Sequence, residues 1–322
     1  MSTPIQITII GLGLIGTSFG LAVKRQKRDD LRLVGHDKAD AAVKSAKSKG
    51  AIDASHWNLI RACEEADVIL LAVPAADVIA TLAALRQDLK PGCLLLDTAP
   101  IKAPILAEAA SLPDNVYFIG GNPILALEGR RTAAEASATL FDAIPWALCP
   151  TPALSPDAVS TISELVTMVG AQPFFLDAAE HDGLMAAVDG LPTVLAGALL
   201  NAAGAHASWR ELRRLAGAQF EAATYLPDQQ PADFTTALLA NSAGVLHWLD
   251  QMIAQLQGWR TALSTSDETA LAQNFTRAAE LRNQWLSMAA RGDFEGGERP
   301  RPTTGLWSRF FGQPTRGQPA SR

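Results

Sequence analysis

The chain is poor in cysteine and in long apolar runs, and it has no basic stretch interleaved with aromatics. Its three cysteines, Cys63, Cys93 and Cys149, are far apart, with no Cys-x-x-Cys pair and no histidine pair beside them. That spacing speaks against a disulfide framework or a metal module, so they read as buried small hydrophobes and no metal is expected. The longest apolar stretches, such as Val68–Val73, are about six residues, whereas a membrane-spanning helix needs about twenty. No membrane contact is therefore expected. The chain opens on an apolar strand by Ile5 rather than on a charged, then apolar, then small-residue leader, and a cytoplasmic protein is expected. A net charge of −6 gives no reason to expect nucleic acid. What is present, 322 residues at 48% hydrophobic and 19% charged, suits two domains, each able to bury a core.

The most informative stretch is Ile5 to Asp37. An apolar run, Ile7 to Ile10, meets the segment Gly11, Leu12, Gly13, Leu14, Ile15, Gly16, which leads into a helical pattern, a second apolar run and an acid, Asp37. Three glycines alone are weak evidence. Placed after a strand, before a helix and ahead of an acid ending the next strand, they read as a dinucleotide cradle. Gly11 permits the turn, Gly13 lets a pyrophosphate approach the backbone, and Gly16 lets the helix pack close to the strand. The pyrophosphate then rests on the unpaired N–H groups at the helix N-terminus. Asp37 accepts the ribose hydroxyls and repels a 2′-phosphate, which favours NAD, with NADP as the alternative because Lys38 follows directly.

Further along, Ala39–Lys49 reads as a helix ended by Gly50. Val68–Val73 reads as a strand buried on both faces, which sets Val73 and Pro74 beside the cofactor ribose. A helix is expected over Asp77–Leu89, a strand over Cys93–Asp97, a loop through Lys102, and a strand over Val116–Gly120 leading into Gly121, Asn122 and Pro123. Ala147–Cys149 and Pro173–Leu176 are further strands, with a helix over Ser155–Val169 between them. Strands alternating with helices predict a doubly wound Rossmann-type parallel sheet, an α/β domain over residues 1–177. From 178 to 291 helical periodicity takes over and predicts an all-α bundle. In Phe234–Leu263, residues Leu238, Leu239, Val245, Leu246, Leu249, Ile253 and Leu256 fall at helical spacings. Ser266 or Asp267 is placed to cap the last helix. Residues 292–322 turn to Gly, Pro, Arg and Thr, and a disordered tail is expected there, with an aromatic and basic cluster at Leu306–Phe311.

Six segments in order and spacing resemble prephenate and arogenate dehydrogenases. They are GLGLIGTSFGLA, ADVILLAVP, DTAPIK, FIGGNP, EHDGLMAAV and LLANSAGVLHWLDQMI, spread over roughly residues 5–290. The resemblance implies a Rossmann domain, a helical domain that makes a homodimer, and NAD(P)-dependent oxidative decarboxylation of a small-molecule substrate, prephenate or arogenate, in tyrosine biosynthesis. It also places Asp97 of the DTAPIK loop with the cofactor-site residues.

That chemistry needs a group to accept or hold the hydroxyl proton, and cations to hold a dicarboxylate. Where the family pattern has a histidine in a GGHP-like segment, this chain has Asn122. Pro100 replaces the serine of a DxxSxK-like loop, while Asp97 and Lys102 remain. Glu221 and Tyr225 replace two arginines, and Asp189-Gly190-Leu191-Pro192-Thr193 replaces an SHLPH-like stretch. Asparagine does not titrate near neutral pH and cannot act as a general base. Asn122, Lys102 and Asp189 are the polar candidates for catalysis, Asp189 because its helix is expected to face the nicotinamide. His181 reads as a hydrogen-bonded helix-entry residue. Three readings stay open: a prephenate-type dehydrogenase of weak activity, an NAD(P)-dependent oxidoreductase of another small substrate, and a non-catalytic dinucleotide-binding protein.

Overall fold

The computed structural model describes residues 4–125, 133–151, 154–226 and 231–291. The expected tail, residues 292–322 with the Leu306–Phe311 cluster, lies outside the described residues. The chain divides into two compact units, with the break between Ala178 and Ala179.

The first unit is built on an eight-stranded sheet. Its strands are β1 (Ile5–Ile10), β2 (Leu31–His36), β3 (Ala54–Ser55), β4 (Val68–Leu71), β5 (Leu94–Asp97), β6 (Tyr117–Pro123), β7 (Pro145–Cys149) and β8 (Gln172–Phe175). They lie in the order β3-β2-β1-β4-β5-β6-β7-β8. All neighbours are parallel except β6 and β7, which run antiparallel, so the sheet is parallel-dominated rather than wholly parallel. The two-residue β3 carries no apolar run of its own, which is why periodicity does not reveal it.

Side-chain alternation builds a core on each face of the sheet. Ile7, Ile9, Leu70, Leu94 and Leu96 pack to one side with the helices Leu14–Arg25 and Pro156–Met168. Ile10, Ile69, Leu71 and Leu95 pack to the other with Ala75–Leu85 and Ala103–Ala109. This double covering makes the strands continuous hydrophobic runs. Trp146 of β7 is fully buried, with its ring centroid 5.2 Å from Phe141 and 6.5 Å from Phe19. Arg25 reaches from the first helix to Asp142 in a two-pronged ion pair of 2.7 and 2.9 Å. That pairing raises the arginine pKa and lowers that of the carboxylate.

The second unit is helical: Ala178–Met185, a π-helical turn Ala186–Gly190, Leu191–Gly204, Trp209–Leu215, Ala218–Ala223, Pro231–Ala240, Ser242–Ser264 and Glu268–Arg291. Asp267 caps the last of these, accepting the Ala270 N–H at 2.9 Å. The periodic stretch Phe234–Leu263 is broken at Asn241, whose amide leaves the helix path to donate to the Asp182 carbonyl at 2.7 Å. Of its apolar positions Val245 and Ala262 are buried in the single chain, whereas Leu239 is 70% exposed and Leu246 57%. The run Ala178–Gly204, 27 residues with only 17% of its apolar window buried, is long and apolar enough by composition to cross a membrane. The six-residue limit read from uninterrupted apolar stretches does not capture it, because isolated polar residues divide it into short apolar runs. Glu180, His181, Asp182 and Asp189 interrupt its N-terminal half.

Candidate functional site

The first cluster of site residues forms at the carboxyl end of β1. Gly11 takes φ +88°, and a Cβ there would stand 2.3 Å from the Ala72 carbonyl oxygen and 2.7 Å from Val73 Cγ1. Only glycine fits, and the turn is thereby pressed against the end of β4, next to Val73 and Pro74. A Cβ on Gly16 would lie 1.9 Å from the Gly11 carbonyl oxygen, so the helix can approach the strand only without one. Gly13 is different, because a Cβ there would meet nothing within 4 Å. Its face is open. Gly13 is also the N-cap of the 12-residue helix Leu14–Arg25, which has no side-chain cap and no acid in its first turn. Leu12 is buried, while Leu14 and Ile15 pack against the core from partly buried positions. The open face above uncapped N–H groups fits the pyrophosphate of a dinucleotide.

Asp37 stands one residue past β2 and holds this cradle in shape. One carboxylate oxygen accepts the Leu12 N–H at 2.7 Å and the other accepts the Ala39 N–H at 2.7 Å. A carboxylate has about four acceptor positions, so two remain for ribose hydroxyls. Lys38, which is exposed, pairs with Asp77 at 2.8 Å.

The second cluster lies at the ends of β5 and β6. Asp97 and Lys102 are both completely buried and form an ion pair. The Asp97 carboxylate also accepts the Ala99 N–H at 3.0 Å and the Gly121 N–H at 2.9 Å, and the Lys102 ammonium donates to the Gly121 carbonyl at 2.7 Å. Lys102 is thus an interior cation rather than a solvated loop residue. Sequence gave no sign of the pairing, which depends on where β6 falls. A Cβ on Gly121 would stand 2.5 Å from the Asp97 carbonyl oxygen, and one on Gly120 would stand 2.8 Å from Lys102 Cδ. The double glycine is what allows β6 to close over the pair. Asn122 follows it, 5% exposed, in register with Ala147 of β7. Pro100 is exposed on the loop between.

In the helical unit, His181 is buried, with Nδ1 2.9 Å from Asp182 Oδ1. Asp189 lies in the π-helical turn. Its side chain reaches solvent, yet the protein around it raises its carboxyl pKa by desolvation. Glu221 is exposed on the helix Ala218–Ala223, and Tyr225 is exposed just beyond it.

Residues 19–174 match the prephenate dehydrogenase nucleotide-binding domain, and residues 177–277 match the prephenate dehydrogenase dimerization domain. The prephenate dehydrogenase of Lactococcus lactis subsp. cremoris is 29% identical over 284 residues, spanning 86% of this chain and 76% of that protein. The cyclohexadienyl dehydrogenase of Zymomonas mobilis is 27% identical over 279 residues, spanning 86% of this chain and 94% of that protein. Among solved structures, prephenate dehydrogenase from Aquifex aeolicus, in complex with hydroxyphenyl propionate and NAD+, superposes with a TM-score of 0.80 at 19% identity, covering 88% of this chain and 99% of the other. Arogenate dehydrogenase from Synechocystis gives a TM-score of 0.71 at 22% identity, covering 87% of this chain and all of the other. At those identities the structural likeness is one of fold. The two domain matches, in order and together spanning most of the sequence, show that the chain belongs to the prephenate dehydrogenase family.

Proposed function

We propose that the chain is an NAD-dependent, homodimeric cytoplasmic enzyme that oxidatively decarboxylates a cyclohexadienyl acid of the prephenate and arogenate type, and does so slowly. The observation that carries the reading is the cradle, with an open face over Gly13, an uncapped helix N-terminus and Asp37 fixed on Leu12. NAD supplies the hydride acceptor when bound. The residues Gly11 to Gly16 hold its pyrophosphate, Asp37 its adenosine ribose, and Val73 and Pro74 flank it at the end of β4. With Lys38 paired to Asp77, the Asp37 charge disfavours a 2′-phosphate, so NAD is preferred over NADP.

The substrate hydroxyl proton must be held while the carbinol carbon gives up hydride, and it is retained as the ring becomes a phenol and loses carbon dioxide. Asn122 can hold that hydroxyl by a hydrogen bond but cannot take the proton. Loss of a general base costs about two to four powers of ten in rate. Lys102 acts here as a positioning residue, fixing the segment that carries Asn122 through its bond to Gly121. Asp97 completes that lock from beside the cofactor site. Asp189 is the proton-exchanging candidate of the helical unit, its carboxyl pKa raised by desolvation.

The Glu221 carboxylate favours a substrate whose side chain carries an ammonium group where prephenate carries a ketone, which sets arogenate ahead of prephenate, and Tyr225 adds a neutral polar group. The exposed apolar residues of the helices Ser242–Ser264 and Glu268–Arg291 support the homodimer, which sedimentation velocity tests.

The deciding experiment is NAD titration followed by steady-state assay with prephenate and arogenate. Binding with slow turnover, faster for arogenate, is expected. Binding with neither substrate turned over would replace this reading by an oxidoreductase of another substrate or a non-catalytic dinucleotide-binding protein.

A further inference from the structure

Trp57 is 89% exposed, the most exposed large apolar side chain among the described residues. In the nucleotide-binding unit its company in that class is slight: Ile60 and Ile124, each at 37%. An indole left open to this degree on a unit that otherwise covers its large apolar groups calls for an occupant.

Its place in the sheet names one. Strands β2 and β3 pair Val34 with Ala54 and Gly35 with Ser55, an offset of twenty residues. Because the two strands are parallel, β3 ends at the same edge of the sheet as β2, and just beyond it the His56 N–H donates to the Gly35 carbonyl at 3.2 Å while His36 Nδ1 lies 3.0 Å from the His56 carbonyl oxygen. Trp57 follows directly, where the chain bends, at the edge that carries Asp37. The backbone is anchored directly after it, since Asn58 accepts the Arg61 N–H at 3.0 Å and starts the helix Leu59–Cys63.

A dinucleotide laid on this edge has its pyrophosphate over the end of β1 and its ribose over the end of β2, at Asp37. Adjacent strands are about 4.8 Å apart, so the base attached to that ribose falls within reach of the end of β3. On the β4 side the Lys38–Asp77 ion pair already spans the gap. On the side toward β3 the exposed Trp57 follows the end of the strand.

We propose that Trp57 is a wall of the adenine subsite and stacks on the base of the bound dinucleotide. The inference rests on the dinucleotide reading given above. Stacking of a base on an aromatic side chain corresponds to a loss of roughly ten-fold in affinity when the ring is removed.

The test is calorimetric titration of wild type, Trp57→Ala and Trp57→Phe with NAD and with ADP-ribose. Both ligands should bind Trp57→Ala about ten-fold more weakly, with most of the affinity kept in Trp57→Phe. Wild-type indole emission should fall on ADP-ribose binding, and that change should be lost in Trp57→Phe. Equal affinity of wild type and Trp57→Ala for both ligands overturns the inference while leaving the dinucleotide site standing. A loss for NAD but not for ADP-ribose also overturns it, because the contact would then not be to adenine. So does an altered sedimentation coefficient at unchanged affinity, which would make Trp57 an interface residue. Wild type that binds neither ligand overturns the dinucleotide reading itself. Because Trp57 is exposed, both variants should keep the wild-type melting temperature.

Discussion

The Lys102 ammonium donates to the Gly121 carbonyl oxygen across 2.7 Å, deep inside the nucleotide-binding unit, where neither Lys102 nor its partner Asp97 has any exposed surface. Two backbone N–H groups, of Ala99 and Gly121, satisfy the same carboxylate. Taking two charges out of water is costly, and the pair is tolerable only because its hydrogen-bonding positions are filled. What the pair secures is local geometry, tying the end of β5 to the part of β6 that carries Asn122.

Removing one member should therefore hurt more than removing both. Lys102→Met leaves Asp97 charged and buried, and should lose about 3–5 kcal/mol in urea unfolding. Adding Asp97→Asn to that variant should recover part of the loss, since the uncompensated charge is gone while the backbone donors keep an acceptor. A single variant as stable as wild type would show that the interior there admits water.

The glycines of the cradle should separate folding from binding. Gly16→Ala puts a methyl group 1.9 Å from the Gly11 carbonyl oxygen, so the helix must move off the strand. A loss of several kcal/mol or failure to fold is expected, beyond the usual 1–3 kcal/mol of overpacking. Gly13→Ala meets nothing within 4 Å and should fold, with a melting temperature slightly reduced by the poorer N-cap. Its NAD affinity should nevertheless fall at least about ten-fold, because the methyl group occupies the path of the pyrophosphate. Calorimetry and thermal melts on the two variants read both effects.

That contrast also marks what a sequence can reveal here. Gly11, Gly13, Gly16 and Asp37 declare themselves because their signals are local, each set by neighbours in the chain. Lys102 does not, since its burial depends on β6 arriving from nineteen residues further on. The interruption at Asn241 was equally hidden, because the side chain that breaks the helix answers to the Asp182 carbonyl, 59 residues away. Leu246, Ile253 and Leu256 have the periodicity of a core and yet are exposed, which periodicity cannot distinguish from burial against a second copy.

Asp189 should make stability depend on pH in a direction opposite to most surface acids. Desolvation raises its folded pKa above the ordinary 3.8, so the protonated form is favoured by folding. Its contribution is fully present below the unfolded value and is lost as pH rises through the folded one. Asp189→Asn cannot ionise. Its melting temperature relative to wild type should therefore rise as pH climbs from about 4 through the folded value and then level off, by on the order of 1–2 °C given the solvent access of the group. The Arg25–Asp142 pair works the other way. The depressed Asp142 pKa contributes stability above the unfolded value that disappears in acid, so Asp142→Asn should lose stability at pH 7 but not at pH 2.

Asn122 is in register with Ala147, a small side chain on β7, and is 5% exposed. Asn122→His would place a titratable nitrogen where the hydroxyl proton has to be held. With a general base restored, turnover of prephenate or arogenate should rise by about a hundred-fold or more, with NAD affinity unchanged. The rate should also acquire an inflection near the histidine pKa of about 6.5, where wild type shows none, because only the neutral imidazole can accept the proton. Both readouts are needed. A faster enzyme without the inflection would owe its gain to positioning. A folded, NAD-binding Asn122→His variant with unchanged rate would show that the hydroxyl is not served from this residue, and would shift the search for the proton acceptor to Asp189 in the helical unit.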